Sequence, residues 1–419
     1  MQTPRGTRDL FGEELASIRH VMDVMRKMFE TYGYEEVETP IFEHLDLFTK
    51  KSGSSIVRQL YTFRDKSGRE LALRPELTAP VVRLYIQRLR SSPKPLKLFY
   101  FGPCFRYEEP QAKRWRQFTQ AGVEIIGSSR PEADAEVVAL SCDIMRALGI
   151  GFRVRVGNVR ILREVLSSAG IKNERQDPVL RAIDSGDEKR VEQELRAAGG
   201  NEDNVKEVLA ISKIRGGTKA IERAGEIVES PGGRAALDYL VSVIERLRDF
   251  KVEELEVDLG IARGLDYYTG FVFEIYSGGV QLAGGGRYDD LVETLGGDPT
   301  PAVGAGFGIE RIAGELGDTP ARAPAPVVVA PAAEDCLPEA LRIATMLRRN
   351  GIRATPELGG RKLGKALAYA GSIGSELVVI VGRKEIERGE ATLRDMRTGE
   401  QRSVRIEELP EEISRHQKR

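Results

Sequence analysis

The sequence predicts an α+β protein that is followed by a smaller α/β domain. Two stretches with strand patterns, at residues 98–126 and 256–288, predict a sheet in the first part, and helical patterns lie around them. Residues 314–326 are rich in proline, alanine and glycine and are interpreted as a linker. Beyond the linker, strand and helix patterns alternate over residues 327–419, which predicts the smaller domain.

The composition is typical of a globular protein without a strong overall charge. Hydrophobic residues make up 41% of the 419 residues, charged residues 30%, and the net charge is −1, so any contact with nucleic acid depends on local patches. Three widely spaced cysteines indicate a reducing compartment, and three scattered histidines argue against histidine-based catalysis or metal binding. The polar amino terminus and the lack of a long apolar run predict a cytoplasmic protein with no membrane segment.

The amino-terminal part predicts a long helix, an interrupted strand and a strand-to-helix junction. Apolar residues recur at three- and four-residue spacing over Glu13–Tyr32, which predicts an amphipathic helix. Pro40 interrupts a strand pattern over residues 34–47, which suits an edge strand or an interface. Further along, Glu76 and Thr78 stand where a turn leads into a helix, so they are either helix caps or binding groups.

The hairpin at residues 98–126 has polar side chains where a plain hairpin would have apolar ones. Its first strand leads toward Arg106, and its second carries Gln120 and Glu124 in an alternating pattern. Two interpretations stay open for this stretch alone. One is an ordinary hairpin with a solvated loop over residues 107–116, and the other is a sheet surface that holds a polar ligand beside a loop that contacts an anion.

The middle of the chain predicts one more helix and strand, at Pro131–Leu148 and Phe152–Gly157, and then a change of character. Residues 171–231 are helical and highly charged. They are either an inserted helical module or ordinary surface helices of the same domain.

Glycine-rich stretches mark the second strand region. Arg263–Tyr268 is a polar, aromatic turn between strands, and Gly284–Gly286 lets backbone approach a ligand closely. A glycine-rich strand leads into a helix near Gly308, which places Arg311 in a first turn that favours anions. The run Gly359–Lys365 has P-loop spacing but is followed by alanine, so it lacks the hydroxyl that binds magnesium.

These motifs together resemble the histidyl-tRNA synthetase family of class II aminoacyl-tRNA synthetases. Three stretches resemble motifs 1, 2 and 3 of class II enzymes: the residues around Pro40, Phe105–Glu124 and Gly306–Arg311. The runs RGLDYYTG at 263–270 and GGGRYDDL at 284–291 resemble the histidine-specific motifs of the family. Residues 73–78 also fit, although Leu77 stands where many members have glycine.

The resemblance implies a fold, substrates and partners. A catalytic domain over residues 1–320 would contain an antiparallel sheet flanked by helices, with a helical insertion at about 171–231 near the tRNA acceptor stem. An α/β domain over 327–419 would bind the anticodon, and the protein would be a homodimer. The histidine carboxylate would attack the α-phosphate of ATP, used with Mg²⁺, and the 3′-terminal hydroxyl of tRNA(His) would then accept the acyl group.

The resemblance also implies roles for individual side chains. Arg106 and Arg263 would be catalytic at the α-phosphate, and Arg263 would stand where other class II enzymes place a metal. Arg106, Glu108 and Arg311 would bind ATP, because guanidinium groups suit phosphate oxygens. Histidine would be bound by a larger set: Glu76, Thr78, Arg106, Gln120, Glu124, Arg263, Tyr267 and Tyr268. The ligands of magnesium are not identified by the resemblance.

Two alternatives share this resemblance without the ligase activity. One is the synthetase-like regulatory subunit of histidine biosynthesis, and the other is a non-catalytic module that senses tRNA. Such regulatory paralogues typically lack the anticodon-binding domain and lose catalytic residues. The presence here of Arg263, Arg311 and the predicted C-terminal domain argues against the regulatory subunit. The full set of Arg106, Arg263 and Arg311 argues against the tRNA-sensing module.

Overall fold

The chain divides into two compact units, Met1–Asp318 and Thr319–Arg419. The computed structural model describes residues 2–50, 57–107, 115–217, 219–253, 255–263, 267–317 and 325–417. The sequence-based predictions for Glu108, for most of the loop at 107–116 and for Gly264–Asp266 therefore lie outside the described residues.

The strands of the first unit form one large and one small sheet. In chain order they are β1 (Glu35–Glu36), β2 (Phe42–His44), β3 (Thr62–Arg64), β4 (Glu70–Leu73), β5 (Leu96–Phe105), β6 (Gln117–Ile126), β7 (Arg153–Asn158), β8 (Arg215–Gly216), β9 (Leu255–Asp258), β10 (Phe271–Ser277), β11 (Val280–Arg287) and β12 (Ala302–Gly308). The large sheet has the order β1-β5-β6-β12-β11-β10-β7-β9-β8, and the small sheet has the order β2-β4-β3. Pro40 lies between two edge strands, β1 and β2, as its position in the sequence predicts.

The large sheet is antiparallel in its centre and parallel near both ends. Every neighbouring pair from β5 to β7 is antiparallel, which confirms the expected antiparallel sheet for its six central strands. The pairs β1–β5 and β7–β9 are parallel and refine that expectation. Parallel neighbours need a long crossover connection, and the helices between β7 and β9 provide one.

Helices cover the sheet and fill the segment between β7 and β9. In chain order those of the first unit are α1 (Gly12–Thr31), α2 (Leu45–Thr49), α3 (Thr78–Leu84), α4 (Pro131–Ala147), α5 (Val159–Ser168), α6 (Gln176–Asp184), α7 (Glu188–Ala197), α8 (Glu202–Ser212), α9 (Lys219–Ile227), α10 (Pro231–Asp249), α11 (Leu291–Thr294) and α12 (Ile309–Ala313). Within this segment, β8 pairs with β9, so the charged helical stretch also contributes an edge strand to the large sheet.

The helix α1 packs its apolar stripe on the sheet. Its residues Ile18, Val21, Met25 and Phe29 are buried, in agreement with the predicted amphipathic pattern. The ring of Phe29 lies 5.1 Å from that of Phe99 on β5 and 5.9 Å from that of Phe307 on β12. This contact packs α1 against β5 and β12, which belong to the part of the sheet that carries the candidate site.

The second unit is an α/β fold with five strands. They are β13 (Val327–Pro331), β14 (Ala354–Pro356), β15 (Leu377–Val381), β16 (Glu390–Asp395) and β17 (Gln401–Arg405), in the sheet order β14-β13-β15-β16-β17. The helices are α13 (Leu337–Arg349), α14 (Leu363–Ser372), α15 (Arg383–Glu387) and α16 (Leu409–Gln417). Across both units, none of the described helices is long and apolar enough to cross a membrane.

Candidate active site

A cleft over the centre of the large sheet brings together several of the polar residues that the sequence singles out. Arg106, Gln120, Arg263 and Arg311 all line it, although they come from three distant parts of the chain. Aromatic rings of Trp115 and Phe118, and the glycines of β11 and β12, complete the walls. The cleft therefore presents three guanidinium groups to any ligand that enters, which suits a polyanion.

Arg106 is held at the point where β5 ends. Its Nε donates a hydrogen bond of 2.9 Å to the carbonyl oxygen of Pro75, and its guanidinium lies 5.3 Å from the ring of Phe118. Its backbone N–H donates to the carbonyl of Arg116, which closes the hairpin beyond the last paired residues. The side chain is thus oriented by its Nε bond, and it forms part of the cleft lining.

Arg263 has an unusual backbone conformation, and its guanidinium group contacts strand β10. Its φ of 47° places it in the left-handed region, which is uncommon for a residue other than glycine. Its Nη1 donates to the carbonyl of Phe273 at 3.0 Å and approaches Oε1 of Glu274 at 3.5 Å. Among the described residues, its buried Nε has no hydrogen-bond partner.

The carboxylate that the Arg263 guanidinium approaches is Glu274 on β10. Asp258 instead pairs with Arg215 at 2.9 Å, and Asp266 lies outside the described residues. Glu274 also accepts a hydrogen bond of 2.7 Å from the amide of Gln281, so its carboxylate is shared rather than dedicated to the arginine.

The glycines of β11 make room for a side chain rather than for a ligand alone. A Cβ added at Gly284 would lie 1.6 Å from Nη1 of Arg263, and one added at Gly285 would lie 1.9 Å from the backbone oxygen of Gly304. Gly284 thus admits the Arg263 guanidinium, and Gly285 admits the neighbouring strand. That this run also lets a ligand approach the backbone stays a prediction, and Gly284 is part of the cleft lining.

Glu124 is a buried carboxylate on β6, the strand that also carries Gln120 of the cleft lining. It is 1% exposed, and its Oε1 accepts a hydrogen bond of 2.8 Å from the Tyr100 hydroxyl while its Oε2 accepts one from the Tyr288 hydroxyl. Burial raises the pKa of Glu124 to about 8, although these hydroxyls oppose the shift. Tyr100 and Tyr288 are not among the site residues predicted from the sequence, although Tyr288 is the tyrosine of the GGGRYDDL run.

Two further tyrosines connect this carboxylate to Arg263. Tyr267 and Tyr268 are buried, with their rings 4.9 Å apart. The ring of Tyr267 lies 5.8 Å from that of Tyr288, and the guanidinium of Arg263 lies 5.6 Å from the ring of Tyr268. The residues expected to bind an imidazole and those expected to bind a phosphate are therefore in one continuous cluster.

Glu76 and Thr78 occupy the start of α3, and the cap is Glu76 rather than Thr78. The Glu76 carboxylate accepts the backbone N–H groups of Thr78 at 2.5 Å and Ala79 at 3.0 Å. Burial raises the pKa of Glu76. The Thr78 side chain is a hydrogen-bonding neighbour of both Glu76 and Glu124, so it lies between the two buried carboxylates.

The remaining predicted phosphate contact is on α12, which follows the glycine-rich strand β12. Arg311 lines the cleft and donates a hydrogen bond of 3.1 Å to the carbonyl of Gln281. Its neighbour Glu310 accepts the backbone N–H of Thr119 at 2.7 Å and is the carboxylate among the lining residues. The helix that starts near Gly308 is confirmed.

Comparisons with known proteins agree with this geometry. The profile of the family described as histidyl-tRNA synthetase matches residues 6–312, and that of the anticodon binding domain matches residues 326–416. A histidine–tRNA ligase of Methanocaldococcus jannaschii is 43% identical over 97% of this chain and 98% of its own. One of Thermococcus kodakarensis is 42% identical over 98% of this chain and 97% of its own.

Solved structures give the same result. Histidyl-tRNA synthetase from Nostoc sp. PCC 7120 superposes with a TM-score of 0.80 at 28% identity and covers 99% of both chains. A Bacillus halodurans protein described as an ATP phosphoribosyltransferase regulatory subunit/histidyl-tRNA synthetase gives a TM-score of 0.78 at 26% identity, covering 91% of this chain and 98% of its own. Because the more similar full-length relatives are histidine–tRNA ligases, the comparisons favour the ligase over the regulatory subunit. This chain belongs to the histidyl-tRNA synthetase family.

Proposed function

We propose that this protein activates histidine with ATP and transfers the histidyl group to the 3′ end of tRNA(His). The observation that carries the proposal is the single cluster in which Arg106, Arg263 and Arg311 line a cleft next to the buried carboxylate of Glu124. Three cations suit a nucleoside triphosphate, and a buried acceptor suits an imidazole N–H. These are the two ligands that the first half-reaction must hold together.

In the first step, an oxygen of the histidine carboxylate forms a bond to the α-phosphorus of ATP, and the bond to pyrophosphate breaks. Negative charge grows on the α-phosphate oxygens, and Arg106 and Arg263 stabilise it with preorganised guanidinium groups. Arg311, which also lines the cleft, binds the γ-phosphate end. Because the arginine positions are fixed before ATP binds, little reorganisation is needed at the moment of reaction.

Histidine is recognised by groups at both ends of the molecule. Glu124 accepts a hydrogen bond from an imidazole N–H, and Tyr268 lies at the other side of the ring. Glu76, Thr78 and Gln120 receive the ammonium group. A carboxylate has about four acceptor positions, so the two backbone N–H groups on Glu76 leave capacity for an ammonium. An amino acid that left the buried Glu124 unpaired would be rejected.

In the second step, a terminal hydroxyl of tRNA attacks the carbonyl carbon of the histidyl-adenylate, and AMP leaves. Recognition of the anticodon is assigned to residues 326–416, which match the anticodon binding domain. Magnesium would be bound mainly through the phosphates of ATP. This fits the described residues, which contain no cluster of three or more candidate metal ligands, while Glu310 offers one carboxylate at the cleft.

The small sheet supports the proposal of a homodimer. Phe42 on β2 and Phe63 on β3 are 53% and 42% exposed, and their rings form an edge-to-face pair at 6.1 Å. Ile41, the residue before Phe42, is also exposed. Exposed apolar patches mark interaction surfaces, and Ile41 and Phe42 belong to the stretch around Pro40 that resembles the class II dimer motif. The three cysteines are buried and form no disulfide among the described residues, which supports a cytoplasmic location.

The test separates the two half-reactions. The purified protein is incubated with ATP, labelled pyrophosphate and each amino acid in turn, and histidine should support exchange best. Arg263→His should lower the adenylation rate by about 10²-fold, by analogy with removal of an oxyanion donor. Transfer of histidine from preformed adenylate to tRNA should be affected less, because the α-phosphate is then part of the leaving group. Exchange that is better with another amino acid, or equal losses in both steps, would contradict the proposal.

A further inference from the structure

Asp184 connects the charged helical stretch to the catalytic cleft. It is the last residue of α6, and its Oδ1 accepts the backbone N–H of Arg263 at 2.8 Å and that of Ala262 at 3.3 Å. The two partners are 79 and 78 residues away along the chain. The bonds therefore link two elements that the sequence does not place together.

The peptide that Asp184 binds is one that needs support. A non-glycine residue in the left-handed region carries a conformational cost and persists only where surrounding groups determine it. Arg263, with its φ of 47°, is such a residue. A carboxylate oxygen that accepts hydrogen bonds from two successive N–H groups favours this backbone geometry. The backbone geometry in turn sets the direction of the Arg263 side chain.

The helix that presents Asp184 is itself firmly anchored. Gln176, at the start of α6, is fully buried, and its amide donates to the carbonyl of Ile171 at 3.0 Å and to the Ser167 hydroxyl at 3.0 Å. Asp177 forms an ion pair of 2.9 Å with Arg163 on α5. Asp184 is exposed, but it stands at the end of a helix that is anchored at its start, and its Oδ1 is held by the two N–H groups of the turn.

We infer that Asp184 is a positioning residue for adenylation, because it holds the backbone of Arg263 so that the guanidinium reaches the α-phosphate. This inference rests on the proposed catalytic role of Arg263. Asp184 contacts neither substrate in this scheme, so its contribution belongs to the rate of the chemical step. Substrate affinity depends on the other groups of the cleft and should change little.

The test compares the full-length wild type with five full-length variants in single-turnover adenylation with saturating ATP and histidine. Asp184→Ala should lower the rate constant by about ten- to a hundredfold, since small misplacements of a catalytic group cost rates of this size. The Michaelis constants for ATP and histidine should stay within about threefold of the wild type, as expected for an effect confined to the transition state. Asp184→Asn should recover most of the rate, because its amide oxygen can still accept the Arg263 N–H.

Asp187→Ala is the matched control. Asp187 caps the next helix, α7, by accepting the backbone N–H of Arg190 at 3.1 Å, so its loss weakens the same helical stretch without touching Arg263. It should leave the adenylation rate unchanged. An equal fall in Asp187→Ala and Asp184→Ala, or no rescue by Asp184→Asn, would overturn the inference and assign Asp184 to folding alone.

Arg263→His, measured in parallel, separates this inference from the proposed function. If adenylation is slow in Arg263→His but as fast as wild type in Asp184→Ala, the positioning role of Asp184 is overturned, while the catalytic assignment of Arg263 is kept. A fast Arg263→His would overturn both. If the inference is correct, the double variant should be no slower than Arg263→His alone, because the second change acts only through the residue already lost.

Discussion

The substitution Gly284→Ala should slow adenylation by displacing the side chain of Arg263. A Cβ at position 284 would lie 1.6 Å from Nη1 and 2.6 Å from Cζ of that arginine, whereas ordinary contact begins at 3.4 Å. The guanidinium would therefore have to move by about 1.8 Å. The three atoms nearest to the added carbon all belong to the Arg263 side chain, so displacement of this side chain is the least costly response.

The displacement predicts the size of the effect. Moving the guanidinium breaks the 3.0 Å hydrogen bond from Nη1 to the Phe273 carbonyl and shifts the charge away from its position in the cleft. Because a 1 Å misplacement can cost about 10²-fold in rate, we expect turnover to fall by about 10²-fold, or about 2.7 kcal/mol. Overpacking at a buried position also costs about 1–3 kcal/mol of stability, so the melting temperature should fall moderately.

The assay is histidine-dependent exchange of pyrophosphate into ATP, with Michaelis constants for both substrates and a thermal melt for each variant. Gly151→Ala is the matched control, because a Cβ there would meet no described atom within 4 Å. It should keep wild-type turnover. A folded Gly284→Ala variant with wild-type turnover would show that the observed position of Arg263 is not the one used in the reaction.

Three further predictions address recognition, domain roles and assembly. Burial raises the pKa of Glu124 to about 8, so the folded protein without ligand binds the carboxyl proton more tightly than the unfolded chain does. The stability that this proton binding contributes is complete below the ordinary carboxyl pKa and is lost as pH rises toward 8. Because imidazole recognition uses the ionised form, kcat/KM for histidine should rise about tenfold from pH 7 to pH 9. Glu124→Gln should flatten the pH dependence of both stability and kcat/KM. The same pH dependence in the variant and the wild type would contradict this prediction. A chain that ends at residue 318 should keep exchange activity but lose most tRNA charging, and equal charging would refute the anticodon assignment. Replacing Phe42 and Phe63 by serine should shift the protein toward monomers in sedimentation, while an unchanged mass would exclude this surface as the dimer contact.

The regular elements near the site could be predicted because their patterns are local. Alternation over residues 117–126 predicted β6, and the apolar spacing over Glu13–Tyr32 predicted α1. The junction before Thr78 was also predicted, and of its two candidate capping residues it is Glu76 whose carboxylate binds the first N–H groups of the helix. Capping by Glu76 depends on the carboxylate turning back toward the two N–H groups that follow it, and residue type alone does not distinguish this from capping by the threonine.

Contacts between distant strands could not be predicted in the same way. The tyrosines that bind Glu124 come from the neighbouring strand β5 and from the end of β11, so finding them requires the strand order and the register. The same holds for the ends of the large sheet, where parallel pairing depends on which strands become neighbours. The contact between Asp184 and Arg263 joins the end of a helix to a turn. The sequence of neither element indicates that the other lies next to it.

The glycines of β11 and β12 nevertheless carry information about those distant contacts. A Cβ at Gly304 would lie 1.7 Å from Oε2 of Glu124, and one at Gly306 would lie 2.6 Å from Nε2 of Gln120. Long polar side chains can lie flat on a sheet only where the adjacent strand has no side chain on that face. A glycine-rich central strand beside a strand with polar residues at alternate positions therefore indicates a recessed binding surface. The glycine run at residues 284–286, which in the sequence suggested space for a ligand, thus also indicates space for side chains that would bind the ligand.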